Sequence, residues 1–164
     1  MKNISRIVAV LAVGAFGIWL WLALFPSPEK VIANQFEKLA HAATVRPGEG
    51  TLPRVAGAQA VGNFFSTNVA MNIDVPGYHQ DTVVSRDDLV QAVMAAHFSG
   101  GLTLKFMDIN VAVAADKETA QVEATVEARV PGEHDVMMQQ MKFTLRKING
   151  KWLITRVQTV RTFS

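Results

Sequence analysis

The chain has 164 residues, of which 49% are hydrophobic, and this length is enough for one domain with its own core. Its formal net charge of +2 is contributed by Lys2 and Arg6, so the residues after Pro26 are neutral overall and are poor candidates for nucleic-acid binding. The absence of cysteine excludes disulfides, thiol catalysis and cysteine-ligated zinc.

A membrane-spanning helix is predicted over residues 7–25. This run of 19 residues carries no charge, and as a helix, at about 1.5 Å rise per residue, it matches the hydrocarbon core of a bilayer. A cleaved signal peptide is the alternative, but such a peptide ends in small residues, whereas Leu24 and Phe25 close this run. We therefore expect an uncleaved anchor within residues 1–26.

The residues that flank the apolar run predict its orientation. Lys2 and Arg6 precede it, and a positive flank favours the cytoplasmic side of a membrane. Trp19 and Trp21 lie near its other end, where an interfacial aromatic belt is expected. The predicted topology is a single-pass cell-membrane protein with a cytoplasmic N-terminus, whose residues 27–164 form one extracytoplasmic domain.

Two helices are predicted at the start of this domain. Ser27 fits the N-cap of the first helix, Pro28 fits its first position, and an apolar stripe at helical spacing continues to about Thr44. Two prolines and two glycines then predict a loop over residues 44–56. A short second helix follows over residues 55–65 and is weakened by its glycines.

A strand and a third helix come next in the chain. Residues 68–75 predict a strand, and the composition of residues 76–81, PGYHQD, predicts a turn. Ser85 begins the third helix, which has two aspartates in its first turn, at the positive end of the helix dipole. A pair of glycines ends this helix.

The rest of the domain is predicted to be a four-stranded antiparallel meander. Gly132 and Glu133 fit a type II′ turn, and Asn149 and Gly150 fit a type I′ turn, so two of its connections are tight hairpins. A two-residue loop fixes the pairing register of its strands. The predicted strands cover residues 102–115, 119–130, 135–148 and 151–163.

The first hairpin register separates a polar face from an apolar face. It pairs Glu123 with Lys142 on the polar face, and Val122 with Phe143 on the apolar face. Because a half-buried antiparallel sheet alternates in this way, the register is consistent with the sequence on both strands.

Extending the same register argument across the second hairpin predicts that Arg156 lies on the apolar face. Trp152, Arg156 and Gln158 fall on the apolar face, with Arg156 opposite Phe143 and Gln158 opposite Met141. An isolated buried charge is very unfavourable, so a guanidinium at this position needs a partner or water.

The order helix, helix, strand, helix and meander, together with the ending INGKWLITRV, resembles the NTF2-like superfamily. This superfamily includes nuclear transport factor 2, ketosteroid isomerase, scytalone dehydratase and the SnoaL-like proteins, and the resemblance covers residues 28–163. It implies an α+β fold in which three helices pack on a curved antiparallel sheet. The helix-covered wall of that sheet would line a cup.

Three alternatives remain for Arg156 within such a cup. The strand bulges or twists so that the side chain reaches solvent, or the side chain forms an internal ion pair with Asp74, or it helps to bind a ligand. A ligand site would bind a carboxylate or another polar group through the guanidinium and neighbouring amides. Its predicted members are Arg156, Gln158, Gln139, Phe143, Met141 and Trp152.

The candidates for catalysis are three residues near the end of the first strand. Asp74 would supply a carboxylate base, and Tyr78 and His79 would supply donors, as in the apolar cups of the enzymes of this superfamily. The alternative is that all three are ordinary residues of a surface turn. No spacing in the sequence predicts a metal site, and no cofactor is expected.

The sequence also predicts partners for the domain. On the outer face of the sheet, apolar residues interrupt the polar ones, which predicts a homodimer through that face; they are Met138, Ile148, Leu153 and Val157. A single-span anchor before an NTF2-like domain is similar in layout to assembly proteins of type IV secretion, which implies subunits of a membrane complex as further partners. We therefore expect a binding or assembly module, and the alternative is a small-molecule isomerase, dehydratase or hydrolase.

Overall fold

The computed structural model describes residues 12–17, 26–75, 78–95, 101–132 and 136–160. In the described part of the domain, three helices and six strands follow one another in this order: α1 (Pro28–Ala43), α2 (Thr51–Gly62), β1 (Phe65–Val75), β2 (Tyr78–Ser85), α3 (Arg86–Ala95), β3 (Thr103–Val113), β4 (Thr119–Arg129), β5 (Val136–Ile148) and β6 (Lys151–Thr159).

The predicted anchor lies mostly outside the described residues. Of residues 7–25, only 12–17 are described, and they are helical. Within the described parts of the chain, no helix is both long enough and apolar enough to cross a bilayer.

Serine side chains begin two of the helices, as the sequence predicted. The Ser27 Oγ accepts a hydrogen bond from the Lys30 N–H at the start of α1, at 3.4 Å. At the start of α3, the Ser85 Oγ accepts from the Asp88 N–H at 3.1 Å and donates to the Asp88 carboxylate at 2.6 Å. Each serine satisfies an N–H group that has no partner within its own helix.

Two predictions about irregular segments are wrong. The predicted loop over residues 44–56 ends early, because α2 begins at Thr51 with Pro53 in its first turn, where a missing N–H costs no helical hydrogen bond. The predicted turn over residues 76–81 is mostly strand, because β2 begins at Tyr78. As an edge strand, β2 keeps polar residues exposed, and its composition therefore resembles that of a loop.

The six strands form one mixed sheet in the order β2-β1-β6-β5-β4-β3. The predicted antiparallel meander is confirmed in β3 to β6. The expectation of a wholly antiparallel sheet is wrong, because β1 pairs with β6 in parallel and with β2 in antiparallel orientation. This parallel pairing brings the N-terminal part of the domain against its last described strand.

The hydrophobic core lies between the helices and one face of the sheet, which we call the helix-covered face. Helix α1 packs on β3, α2 packs against α1 and α3, and α3 packs on β1 and β2. At its centre, Phe36 of α1 meets Phe106 and Phe143 edge to face, with ring centroids 5.1 and 4.9 Å away. The largest fully buried side chains, each contributing roughly 1.5–3 kcal/mol, are Ile32, Phe36, Val69, Val122, Leu145 and Ile154.

The predicted register of the β4–β5 hairpin is confirmed along its whole length. Val122 lies opposite Phe143, and Glu123 lies opposite Lys142, whose Nζ is 3.4 Å from the Glu123 carboxylate. In the β5–β6 turn, Asn149 and Gly150 have φ angles of 51° and 78°, the two positive values that a type I′ turn requires.

The β3–β4 turn is stabilised by one carboxylate. The Asp116 Oδ1 accepts hydrogen bonds from the N–H groups of Glu118 and Thr119, both at 2.9 Å. Because these bonds favour the ionised form, they lower the pKa of Asp116.

Candidate functional site

A β-bulge at Thr155 decides which way the arginine of β6 points. The predicted register holds from the turn as far as Ile154, and then Thr155 is inserted without a partner. Beyond the bulge, Arg156 lies opposite Thr144 and is exposed, whereas Val157 lies opposite Phe143 and is only 6% exposed. The predicted pairing of Arg156 with Phe143 is therefore wrong, and the alternative of a bulge that directs Arg156 to solvent is confirmed.

The bulge divides the six residues predicted to bind a ligand between the two faces of the sheet. Phe143, Met141, Trp152 and Gln139 belong to the helix-covered face. Arg156 and Gln158 belong to the opposite face, which we call the outer face, where Gln158 pairs with Lys142 rather than Met141. The Gln139 amide donates to the Val160 carbonyl at 3.2 Å, so backbone takes up part of its hydrogen-bonding capacity.

Two of the three candidate catalytic residues lie directly opposite each other near the β1–β2 hairpin end. The His79 Nδ1 is 3.7 Å from the Asp74 carboxylate, and their side chains are 65% and 26% exposed. Because Met71 and Ile73 pack against the core, strand alternation directs Asp74 to the outer face. Tyr78 is described at the backbone, as the first residue of β2.

The backbone of Asp74 is tied to β6. The Asp74 N–H donates to the Thr159 Oγ1 at 2.9 Å, and the same hydroxyl is 3.2 Å from the Asp74 carbonyl. This contact fixes the end of β1 next to β6 and positions the Asp74–His79 pair on the outer face.

A polar row crosses the outer face in register through all six strands. Its charged members are Asp81 on β2, Lys142 on β5 and Glu123 on β4, and Arg156 lies two residues before Gln158 on β6. The sequence did not reveal the β1–β2 part of this row, because the segment that forms β2 was interpreted as a turn. From β2 to β3, the members of the row are Asp81, Asn72, Gln158, Lys142, Glu123 and Asn110.

Apolar side chains lie beside this polar row. Val83 on β2 and Met138 on β5 are 67% and 58% exposed, and Ile148 and Leu153 lie on the same face. Val157, which was predicted on the outer face, belongs to the helix-covered face because of the bulge. The outer face therefore carries exposed apolar side chains together with charged side chains of both signs.

Within the described residues, no group of three or more His, Asp or Glu side chains is arranged to hold a metal ion. The ion pairs found there are those of Asp74 with His79, Glu127 with Arg129, and Glu123 with Lys142.

No protein-family model matches the chain, and no curated protein matches it significantly. Solved structures do. An NTF2-like protein of unknown function from Pseudomonas putida superposes with a TM-score of 0.63 at 10% identity, over 85% of this chain and 90% of that chain. A second one, from Shewanella oneidensis, gives 0.56 at 14% identity, over 82% of this chain and 98% of that chain.

A domain of unknown function with a cystatin-like fold, from Nostoc punctiforme, gives a TM-score of 0.59 at 12% identity, over 85% of this chain and 81% of that chain. At such identities the likeness concerns the fold, and function has to be argued from the site. The domain has the NTF2-like, or cystatin-like, α+β fold, with three helices packed on a six-stranded mixed sheet.

Proposed function

We propose that this protein is a membrane-anchored binding or assembly module that acts through the outer face of its sheet. In this proposal residues 7–25 span the cell membrane, the N-terminus is cytoplasmic, and the NTF2-like domain is extracytoplasmic. A second copy of the chain binds the outer face, and the resulting dimer is available to other subunits of a membrane complex.

The observation that carries the proposal is the contrast between the two faces of the sheet. On the helix-covered face, Phe36, Phe106 and Phe143 contact one another edge to face and occupy the middle of the space where a cup would bind a ligand. On the outer face, Val83 and Met138 are largely exposed beside charged side chains. When a second copy covers such a face, the apolar side chains form the core of the interface and the surrounding polar groups form its rim.

The charges on the outer face favour self-association. Asp74 and Asp81 lie on β1 and β2, whereas Lys142 and Arg156 lie on β5 and β6, and Glu123 on β4 is 3.4 Å from Lys142. In a two-fold dimer each patch meets its own copy in the opposite direction, so the acidic side of one protomer can face the basic side of the other. Such complementarity favours one docking orientation over others.

The alternative function, a small-molecule enzyme, is favoured by one observation, the 3.7 Å approach of His79 to Asp74. A general base works on a substrate that is bound beside it, usually away from bulk water. His79 is 65% exposed on an edge strand, which is a poor setting for such a substrate. The binding or assembly function therefore agrees better with the geometry.

The proposal is tested by native mass spectrometry of the full chain after purification in a mild detergent. We expect a dimer that dissociates when Met138→Glu or Val83→Glu replaces an apolar side chain of the outer face by a carboxylate, because the interface then loses an apolar contact and must desolvate a new charge. Leu52→Glu is the matched control, since Leu52 is an apolar residue on helix α2 that is 83% exposed and lies away from the outer face. A monomeric wild-type protein without any partner, or equal dissociation of the Leu52→Glu variant, would contradict the proposal.

A further inference from the structure

A cavity of about 450 Å³ lies among the three helices. Its walls come from the end of α1, residues 44–49, α2 and the end of α3, and among the described residues none of the six strands lines it. The cavity is therefore separate from both the helix-covered cup and the outer face. Its volume falls within the range of about 300–1,000 Å³ that small-molecule sites occupy.

The cavity is open because the helices meet through small residues. A Cβ atom on Gly57 of α2 would lie 3.1 Å from the Ala42 carbonyl of α1, so these helices are in close contact at that point. Beyond the contact, there is room between α2 and α3, which are lined at this point by Ala56 and Ala60 of α2 and by Val93 of α3. The result is a partly open space, with Ala56 exposed at its edge and Ala60 and Val93 half-buried, that larger side chains would fill.

Residues 44–49, the loop that forms one wall of the cavity, are held by hydrogen bonds to the start of β3. Val45 and Leu102 exchange two backbone hydrogen bonds of 2.8 Å, which attach the loop to the start of β3. Gly101 has a φ of 87°, and a Cβ atom there would lie 2.8 Å from the Val45 carbonyl. This wall is thus preformed, which lowers the entropic cost of binding a ligand.

The charged residues that line the cavity are Arg46, Arg54 and Glu49. The Glu49 carboxylate accepts a hydrogen bond from the Arg46 backbone N–H at 3.2 Å, and the ion pairs among the described residues involve neither guanidinium. Two guanidinium charges against one carboxylate leave an excess of one positive charge. A single anionic group on a ligand would balance it, and a carboxylate matches the planar fork of arginine.

We propose that this cavity binds a small monocarboxylate with an apolar body, such as a short-chain or cyclic carboxylic acid. The apolar body occupies the space beside Ala56, Ala60 and Val93, and the carboxylate lies at the arginine side. This inference does not depend on the membrane anchor or on association through the outer face.

Hexanoate is a suitable probe, because it is soluble, carries one charge and has a short apolar chain. The full chain is reconstituted in nanodiscs, and binding is measured by ligand-observed NMR against empty nanodiscs. We expect hexanoate to bind, and hexanamide and hexylamine, which lack the carboxylate, to bind at least tenfold more weakly.

Two variants assign the binding to this cavity. Arg54→Gln is expected to weaken hexanoate binding at least fivefold without changing the weak binding of hexanamide, and Ala56→Phe is expected to abolish the binding of both by filling the space. Arg156→Gln is the matched control, because Arg156 is an arginine on the outer face, and it should have no effect. Folding of each variant is verified by circular dichroism.

Several outcomes would overturn the proposal. These are equal affinity for hexanoate and hexanamide, unchanged hexanoate binding in the folded Ala56→Phe variant, or no binding of hexanoate at all. A wild-type protein that is monomeric but binds hexanoate would contradict the proposed function and leave this inference intact.

Discussion

At the scale of single residues, Gly62 sets how closely α2 and α3 pack. It is buried at the last position of α2, and a Cβ atom there would lie 2.5 Å from the Val90 Cγ2 of α3. Contacts this short do not occur between real side-chain carbons, and the β-branched Val90 has few rotamers with which to move away. A glycine in a helix normally costs stability, so its presence here is explained by the helix contact.

Gly62→Ala is therefore expected to destabilise the protein, although alanine is the better helix former. We expect a loss of about 1–2 kcal/mol in the free energy of unfolding, because the overlap with Val90 outweighs the gain in helix propensity. In the Val90→Ala background the same substitution should cost much less, since the overlapping methyl group is gone. Denaturant unfolding of the two single variants and the double variant measures this coupling. Equal costs in both backgrounds would mean that the contact is absent.

At the scale of elements, the β6 strand shows how one inserted residue redistributes side chains. Without the bulge, Arg156 would follow Ile154 onto the helix-covered face. With Thr155 inserted, Val157 takes the buried place opposite Phe143, and the Thr155 hydroxyl donates to the Thr144 carbonyl at 3.1 Å. The bulge therefore removes a charge from the core at the cost of one interruption in the ladder.

Two substitutions at adjacent positions test this arrangement. Arg156→Leu should change the free energy of unfolding by no more than about 0.5 kcal/mol, because the side chain is exposed. Val157→Arg should cost more than about 3 kcal/mol, because it buries an unpaired charge against Phe143. Denaturant midpoints of both variants provide the measurement. A larger loss of stability for Arg156→Leu than for Val157→Arg would indicate that β6 has no bulge at Thr155.

At the scale of the whole molecule, the domain is closed by the parallel pairing of β1 with β6. The Ile154 N–H donates to the Phe64 carbonyl at 2.9 Å, and Phe65 lies beside Ile154 in the sheet. Helix α1 is connected to the same strand, because the Gln35 amide donates to the Trp152 carbonyl at 2.8 Å. The segment that follows the proposed anchor is thus held by contacts distant in sequence.

The proposed topology can be tested on the intact protein in spheroplasts of an expressing bacterium. A specific protease site inserted after Lys117, in the exposed β3–β4 turn, should be cleaved by protease added outside. The same site inserted after Lys2 should be protected until the cells are lysed, because the N-terminus is expected to be cytoplasmic. Cleavage at the N-terminal site alone would mean that the orientation is reversed.

Local patterns determined much of this architecture. The serine caps of α1 and α3, the Asn149–Gly150 turn and the β4–β5 register were all predictable, because each depends on residues close together in the chain or on a period of two. Strand β2 was missed because an edge strand needs few apolar residues, and so its composition resembles that of a loop.

Tertiary structure alone decided the rest. The bulge at Thr155 follows from the need to bury Val157 rather than Arg156 against Phe143, and this need exists only when β6 is packed beneath the helices. The outward direction of Asp74 depends on the pairing of β1 with β2 and β6, and the cavity depends on how three helices meet. The sequence by itself determined the helices, the strands other than β2 and the tight turns of the meander, since these are local, whereas the faces and spaces between elements depend on contacts between distant residues.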